Sequence, residues 1–202
     1  MQVNSEKNKF DIREYKKGLR SKYKQIRIDM SPDLKQKLDD SIFKKIISTD
    51  AYKKCNVLLT YVSTQIEVDT MQLIKYAIAD GKTVAVPKCV DGTRDMIFYI
   101  ITSLDQLEPG AFSVMEPVPE RCNELMEFNG AVCIVPALAY DMEGYRLGYG
   151  KGYYDRFLSV HKGMYNIGIE YCSCTASKLI RGRFDVPSDM IITEKYVKKI
   201  RK

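Results

Sequence analysis

The apolar positions of the first fifty residues recur every three or four residues, which is the spacing of amphipathic helices. One such stretch predicts a helix over residues 11–28. Ser31 and Pro32 then form the pattern of a helix N-cap followed by proline at the first helical position. They predict a second helix that continues to about residue 47, so two helices are expected before the first strand.

From residue 57 onward, short apolar runs alternate with helical patterns, which predicts an α/β fold with a mainly parallel sheet flanked by helices in three layers. Ligands of such sheets bind at the carboxyl ends of the strands. The whole chain, 1–202, is expected to form a single domain, with 1–10 as a flexible extension. The segment 109–128 is either a surface excursion or a lid. The predicted strands are 57–62, 83–87, 96–101, 131–135, 167–169 and 191–193, and the predicted helices among them are 69–79 and 152–160.

Composition narrows the class of protein. A hydrophobic share of 45% with 29% charged residues is typical of a soluble globular domain. The net charge of +6 is concentrated near the two ends and favours anionic partners, although a solvated basic surface gives the same pattern. The six cysteines form no C-x-x-C pair and the chain has one histidine, which argues against structural zinc. No export signal or membrane-spanning run is recognisable, so a cytoplasmic location is expected.

The segment with the strongest chemical signal follows the most apolar strand and leads into a helix. Gly148, Gly150 and Gly152 alternate there, which allows backbone amides to curve around an anion without side-chain clashes. The positive end of the helix and the charges of Arg146 and Lys151 favour phosphate oxygens at the same place. The spacing differs from the P-loop and from the Rossmann fingerprint, so a flexible turn is the alternative interpretation.

Side chains at the start of that helix add candidate ligands. Asp155 lies one helical turn after the last glycine of the loop. It either binds Mg²⁺ that bridges phosphates or is a first-turn aspartate favoured by the helix dipole. Tyr153 and Tyr154 are able to stack on a flat ring. The alternative is core packing of one and exposure of the other, and this alternative is favoured for Tyr154.

Residues 146–156 resemble the signature of the 5-formyltetrahydrofolate cyclo-ligase family, in which an arginine precedes a glycine-alternating loop and a Tyr-Tyr-Asp run. The resemblance extends from about Tyr15 to Glu194. Tyr149 departs from the pattern because many members carry arginine there, and the segment 171–174 lacks an expected glutamine. Further matches occur, in the order of the family, at 16–20, 67–70, 81–82, 96, 110, 116–117 and 187–194.

The resemblance implies an ATP- and Mg²⁺-dependent conversion of 5-formyltetrahydrofolate to 5,10-methenyltetrahydrofolate, ADP and phosphate. Phosphorylation of the formyl oxygen would be followed by ring closure by N10. Lys151 and Arg146 are the implied catalytic residues, and Asp155 and Asp189 the implied Mg²⁺ ligands. The implied ATP-binding residues are Lys16, Lys17, Gly18, Leu19, Arg20, Arg146, Leu147, Gly148, Tyr149, Gly150, Lys151, Gly152, Tyr153 and Tyr154. The implied folate-binding residues are Val62, Glu67, Tyr149, Gly150, Lys151, Gly152 and Tyr153.

The expected partners are therefore the small molecules 5-formyltetrahydrofolate and ATP, with no nucleic acid or membrane partner and a monomeric protein. Two other functions fit parts of the sequence. One is a small-molecule kinase that releases a phosphorylated product. The other is a non-catalytic protein that binds nucleotide or RNA through its basic ends, although the strands lack aromatic residues interleaved with Lys and Arg.

Overall fold

The fold is described from a computed structural model for residues 11–110 and 114–200, so the predicted N-terminal extension lies outside the described residues. Within these ranges no helix combines the length and the apolar character that crossing a membrane requires. The α-helices are α1 (Ile12–Ile28), α2 (Pro32–Ser48), α3 (Asp50–Lys54), α4 (Met71–Ala79) and α5 (Tyr153–Val160).

The predicted starts of the first two helices are confirmed by their caps. The Asp11 carboxylate accepts hydrogen bonds from the amides of Arg13 and Glu14, at 2.7 and 3.3 Å. The Ser31 hydroxyl accepts one from the Leu34 amide at 3.3 Å. Such bonds satisfy amides that have no partner within the helix. The short helix α3 follows α2 directly and was not predicted from the sequence.

The central sheet has eight strands in the order β12-β11-β10-β7-β1-β2-β3-β6. Neighbours from β11 to β2 pair in parallel, while β3, β6 and β12 pair antiparallel at the two edges. The prediction of an α/β fold with a mainly parallel sheet is confirmed. The strands are β1 (Val57–Leu59), β2 (Thr83–Cys89), β3 (Met96–Ile101), β4 (Leu107–Pro109), β5 (Met115–Pro117), β6 (Asn123–Glu124), β7 (Val132–Val135), β8 (Ala139–Tyr140), β9 (Arg146–Leu147), β10 (Tyr165–Ile169), β11 (Met190–Ile192) and β12 (Val197–Lys199).

The two faces of the sheet bury different helices, because successive side chains of a strand point to opposite faces. Leu58 of β1 and Ile134 of β7 belong to a core cluster that includes residues of α1, α2 and α4. Leu59 and Cys133, their neighbours along the same strands, belong to a second cluster with Phe157 of α5. Helices therefore cover both faces, and the fold has the predicted three layers.

The segment 109–128 contains more regular structure than the sequence indicated. It includes β5 and β6 with a short 3-10 turn at Pro119–Arg121 between them, and β4 precedes it as the partner of β5. Residues 111–113 lie outside the described residues. Part of the segment thus belongs to the central sheet through β6, and its action as a lid stays a prediction.

Candidate functional site

The order of the strands fixes where a ligand crevice forms. The chain leaves β1 through α4 toward β2 on one side, and leaves β7 through α5 toward β10 on the other side. The connections that follow these two neighbouring strands therefore run in opposite directions and leave a crevice at their carboxyl ends, which is the position at which open parallel sheets bind ligands. The loop that carries Val62 and Glu67 follows β1, and the segment that leads to the glycine loop follows β7.

Arg27 of α1 joins these two segments. Its guanidinium donates to the carbonyl of Ile66 at 3.3 Å and to those of Ala137 and Leu138 at 2.6 and 3.1 Å, and the side chain is buried. The sequence interpretation missed Arg27 as part of the site. A signal was present, because its spacing from Arg20 places both on one face of α1.

The glycine loop, residues 148–152, is held against α1. The Arg20 side chain donates from Nε to the carbonyl of Gly148 at 2.9 Å. Gly150 has a φ of 103°, and a Cβ there would lie 3.2 Å from the Arg20 guanidinium carbon. A side chain at position 150 would be strained and would crowd Arg20. The loop is thus a defined structure, in contrast to the flexible turn that the glycines alone also allowed.

The amino end of α5 has features that favour an anion. Gly152 occupies the N-cap with a φ of 80° and supplies no side-chain hydrogen bond to the first turn. Lys151, immediately before it, is exposed. First-turn amides that lack a side-chain cap, together with the helix dipole and a lysine, form a site suited to phosphate.

Arg146 forms contacts that tie this helix end to the protein. Its Nη2 lies 2.5 Å from Oδ1 of Asp155, and its Nη1 donates to the carbonyl of Val186 at 2.7 Å. Burial raises the pKa of the Asp155 carboxyl above its ordinary value, while the charge of Arg146 opposes the rise. Arg146 is itself buried, so its contacts are those of a residue that positions α5.

The two predicted magnesium ligands have different surroundings. Both hydrogen bonds described for Asp155, from Arg146 and from the Val186 amide, are accepted by Oδ1. Asp189 precedes β11, and its Oδ2 accepts a hydrogen bond from the Asn166 amide at 2.8 Å, near the amino end of β10. No group of three or more His, Cys, Asp or Glu placed to hold a metal occurs within 11–110 and 114–200. A joint role for Asp155 and Asp189 stays a prediction.

The predicted folate side of the site is next to the glycine loop. Oε2 of Glu67 accepts hydrogen bonds at 2.9 Å from both the amide and the hydroxyl of Thr64, and Val62 is buried. Burial raises the pKa of the Tyr149 phenol, and the charge and hydrogen bonding of Glu67 add to the rise. Tyr149 therefore faces Glu67, and the two predicted ligand regions meet at this pair.

The adjacent tyrosines at the start of α5 differ in their surroundings. The hydroxyl of Tyr153 lies 3.5 Å from the carbonyl of Thr93. Both tyrosines are partly buried and pack against the second core cluster, so the exposure expected for one of them is not found. The phenol oxygen of Tyr154 is buried and has no hydrogen-bond partner in the described part of the chain. Burial raises the pKa of this phenol, and the charges of Cys133 and then Glu67 add to the rise.

Replacing Tyr154 with phenylalanine is expected to raise the free energy of unfolding by about 1 kcal/mol, because a buried hydroxyl without a partner is destabilising. Urea unfolding measures the effect. Equal stability of the variant and the original protein would show that the hydroxyl is already satisfied.

The remaining predicted residues of α1 are not all brought to the loop. The Lys16 ammonium lies 3.6 Å from the Asp185 carboxylate, near the first turn of α5. Lys17 is exposed and lies 3.4 Å from Glu14. Gly18 is also exposed. Residues two apart on a helix do not share a face, so Gly18 and Arg20 lie on different faces of α1. Leu19 packs against the core, and Leu147 is buried in β9.

The function of this site is indicated by the family and the relatives that the chain resembles. The model of the 5-formyltetrahydrofolate cyclo-ligase family matches residues 12–194. The chain belongs to this family. A protein of Caenorhabditis elegans named as a probable 5-formyltetrahydrofolate cyclo-ligase is 31% identical over 155 residues, covering 74% of this chain and 75% of the relative. A Schizosaccharomyces pombe protein of the same name is 30% identical over 162 residues, covering 74% of this chain and 76% of the relative.

The solved structures agree with the family. The structure of 5,10-methenyltetrahydrofolate synthetase from Aquifex aeolicus is similar with a TM-score of 0.79 and 32% identity, and covers 93% of each chain. It supports the single α/β fold described above. Family membership makes the chain a ligase of folate metabolism, which favours an enzyme over the non-catalytic binding protein considered from the sequence.

Proposed function

We propose that the protein converts 5-formyltetrahydrofolate to 5,10-methenyltetrahydrofolate and consumes ATP with Mg²⁺. The observation that carries the proposal is that α1 holds the two halves of the site together. Arg20 donates to the carbonyl of Gly148 in the glycine loop at 2.9 Å, and Arg27, on the same face of α1, donates to the carbonyl of Ile66, next to Glu67, at 3.3 Å. A triphosphate at the first half would therefore be adjacent to a folate at the second half.

The phosphate half is supported by charge and backbone geometry. The glycine loop, the uncapped first turn of α5 and the exposed Lys151 present donors to an anion from one side. Two cations of α1 are nearby, with Arg20 at the carbonyl of Gly148 and Lys16 at the carboxylate of Asp185. Phosphoryl transfer depends mainly on positioning and on neutralisation of charge, which these groups supply. In this proposal Lys151 is the catalytic residue that contacts the transferred group, and Arg146 positions α5.

The chemistry explains why ATP is needed. A formamide oxygen is a poor leaving group, and transfer of the γ-phosphoryl group to that oxygen forms an O–P bond and releases ADP. The lone pair of N5 stabilises the positive charge at the formyl carbon, whose oxygen now carries the phosphoryl group. N10 then attacks this carbon and loses its proton, and the C–O bond breaks to release phosphate. No cysteine or histidine nucleophile takes part, which is consistent with a chain that has one histidine.

The residues present fit a Mg²⁺ that is bound partly by the nucleotide. This ion usually takes one or two protein carboxylates, with phosphate and water oxygens as the other ligands. Asp155 is at the first turn of α5 with its described hydrogen bonds on Oδ1 alone. Bound Mg²⁺ would neutralise charge on the phosphates. We propose Asp155 as its first carboxylate ligand, and Asp189 is the second predicted one.

Replacing Glu67 with glutamine should damage folate use more than nucleotide use. The carboxylate accepts two hydrogen bonds from Thr64 and faces Tyr149. We expect the KM for 5-formyltetrahydrofolate to rise about tenfold or more, since hydrogen bonds to charged groups are strong. The KM for ATP should stay close to that of the original protein. Equal losses for both substrates would count against a folate role for Glu67.

The test of the function is incubation with 5-formyltetrahydrofolate, ATP and Mg²⁺ while the near-ultraviolet absorbance of methenyltetrahydrofolate and the amount of ADP are followed together. We expect the two products in a one-to-one ratio. ADP without the absorbance would favour the small-molecule kinase. Absence of both products would reject the proposal. We further propose a monomeric, cytoplasmic enzyme that binds neither nucleic acid nor membrane.

A further inference from the structure

A turn at residues 182–185 lies beside the predicted phosphate site. The Asp185 amide donates to the Gly182 carbonyl at 3.3 Å, and the Gly182 amide donates to the Asp185 carboxylate at 2.8 Å. The first of these bonds is the one that closes a β-turn, so Arg183 and Phe184 occupy its two central positions. The reciprocal bonds fix the tip of the turn.

Contacts on each side of the tip attach the turn to the site. The carboxylate of Asp185 lies 3.6 Å from the Lys16 ammonium of α1. The amide and the carbonyl of Val186 bond to Asp155 and Arg146, at 3.3 and 2.7 Å. The turn is therefore fixed between α1 and the first turn of α5, which are the elements that flank the glycine loop.

The tip of the turn presents an aromatic ring to solvent. Phe184 is 71% exposed, although phenylalanine side chains are normally buried. The guanidinium carbon of Arg183 lies 5.7 Å from the centre of the Phe184 ring. An exposed aromatic ring paired with an arginine has the chemistry that binds the flat face of a nucleobase, through stacking and cation–π attraction.

We propose that Arg183 and Phe184 form the surface on which the purine base of the nucleotide stacks while its phosphates occupy the glycine loop. This inference rests on the proposed function, because it assumes a nucleotide at that loop. It adds a base-recognition element that the glycine loop and α1 do not contain. The turn stabilises nucleotide binding through the base alone, so it contributes to affinity for ATP and not to the phosphoryl-transfer step.

A fluorescent variant tests the inference directly, because the chain contains no tryptophan. Phe184→Trp places a single tryptophan on the turn, and stacking on a base should quench its emission. Titration with MgATP in the absence of folate is expected to give saturable quenching. The Kd from this quenching should equal the Kd for MgATP measured by calorimetry. Magnesium tripolyphosphate, which has the phosphates without the base, should bind without quenching. Val160→Trp is the matched control, since Val160 is 68% exposed at the far end of α5.

The alanine variant gives a second readout. Phe184→Ala should raise the KM for ATP about tenfold with kcat little changed, and should leave the affinity for tripolyphosphate unaltered. Unchanged emission of the Phe184→Trp variant together with an unchanged KM in Phe184→Ala would overturn the inference while ATP binding itself stands. Quenching by tripolyphosphate equal to that by MgATP would also overturn it. Failure of the unmodified protein to bind MgATP by calorimetry would instead reject the proposed function and the inference with it.

Discussion

Replacing Lys151 with alanine is expected to lower kcat/KM for ATP by about 10²–10³-fold, the usual effect of removing one preorganised charge donor. Lys151 directly precedes the uncapped N-terminus of α5 and is exposed. In the proposed mechanism its ammonium neutralises charge that develops on the transferred phosphoryl group. Most of the loss should appear in kcat, because the interaction is strongest in the transition state.

The matched control is Lys37→Ala, which removes the same charge from an exposed position on α2. This variant should retain the activity of the original protein. Arg146→Ala should also reduce activity, but with a loss of stability, since Arg146 is buried and bonds to Asp155 and Val186. A double variant of Lys151 and Arg146 that turned over at the original rate would contradict the proposed role of the glycine loop.

Replacing Glu170 with glutamine is expected to change how stability depends on pH. Glu170 follows β10 and is fully buried; its Oε2 accepts from the Tyr140 amide at 2.7 Å and its Oε1 from the Thr175 hydroxyl at 3.0 Å. Burial raises the pKa of this carboxyl from 4.5 to about 8. The folded protein thus binds the proton more tightly than the unfolded chain does. The stability due to this proton is fully present below the unfolded pKa and is lost as the pH rises toward the folded pKa.

Glutamine resembles the protonated acid and does not titrate. Between about pH 5 and about pH 8, the free energy of unfolding of the original protein should therefore fall by about 3–4 kcal/mol relative to that of Glu170→Gln. Urea unfolding at several pH values measures the difference. The control is Glu124→Gln, which changes an exposed glutamate on β6. Its free energy of unfolding should depend on pH in the same way as that of the original protein. Parallel profiles for Glu170→Gln as well would mean that Glu170 is ionised throughout.

The sequence predicts the elements that have strong local patterns. Strand β3 (Met96–Ile101) has the predicted bounds, and α1 and α2 begin within a residue of the predicted starts. Their apolar periods and caps are local properties. The hairpin of β8 and β9 was missed because each strand has two residues, and both strands are buried, so no alternation marks them. The edge strand β12 was missed because two of its three residues are lysines.

The candidate site was less predictable because its contacts join distant parts of the chain. Arg20 and Gly148 are 128 positions apart, and their spacing in sequence gives no sign of the hydrogen bond between them. The resemblance to the family placed both residues in the implied ATP-binding set but did not predict this bond. The ion pair of Arg146 with Asp155 was not foreseen, because both residues were interpreted as separate ligand groups. Local chemistry indicated what each residue is able to bind, whereas the contacts between the residues follow from the fold.

The measurement that tests the central claim most directly is isotope transfer from 5-formyltetrahydrofolate labelled with ¹⁸O in the formyl group. After turnover with ATP and Mg²⁺ in unlabelled water, the inorganic phosphate should carry the label, because the formyl oxygen leaves bonded to phosphorus. Unlabelled phosphate accompanying the formation of methenyltetrahydrofolate would contradict phosphorylation of that oxygen.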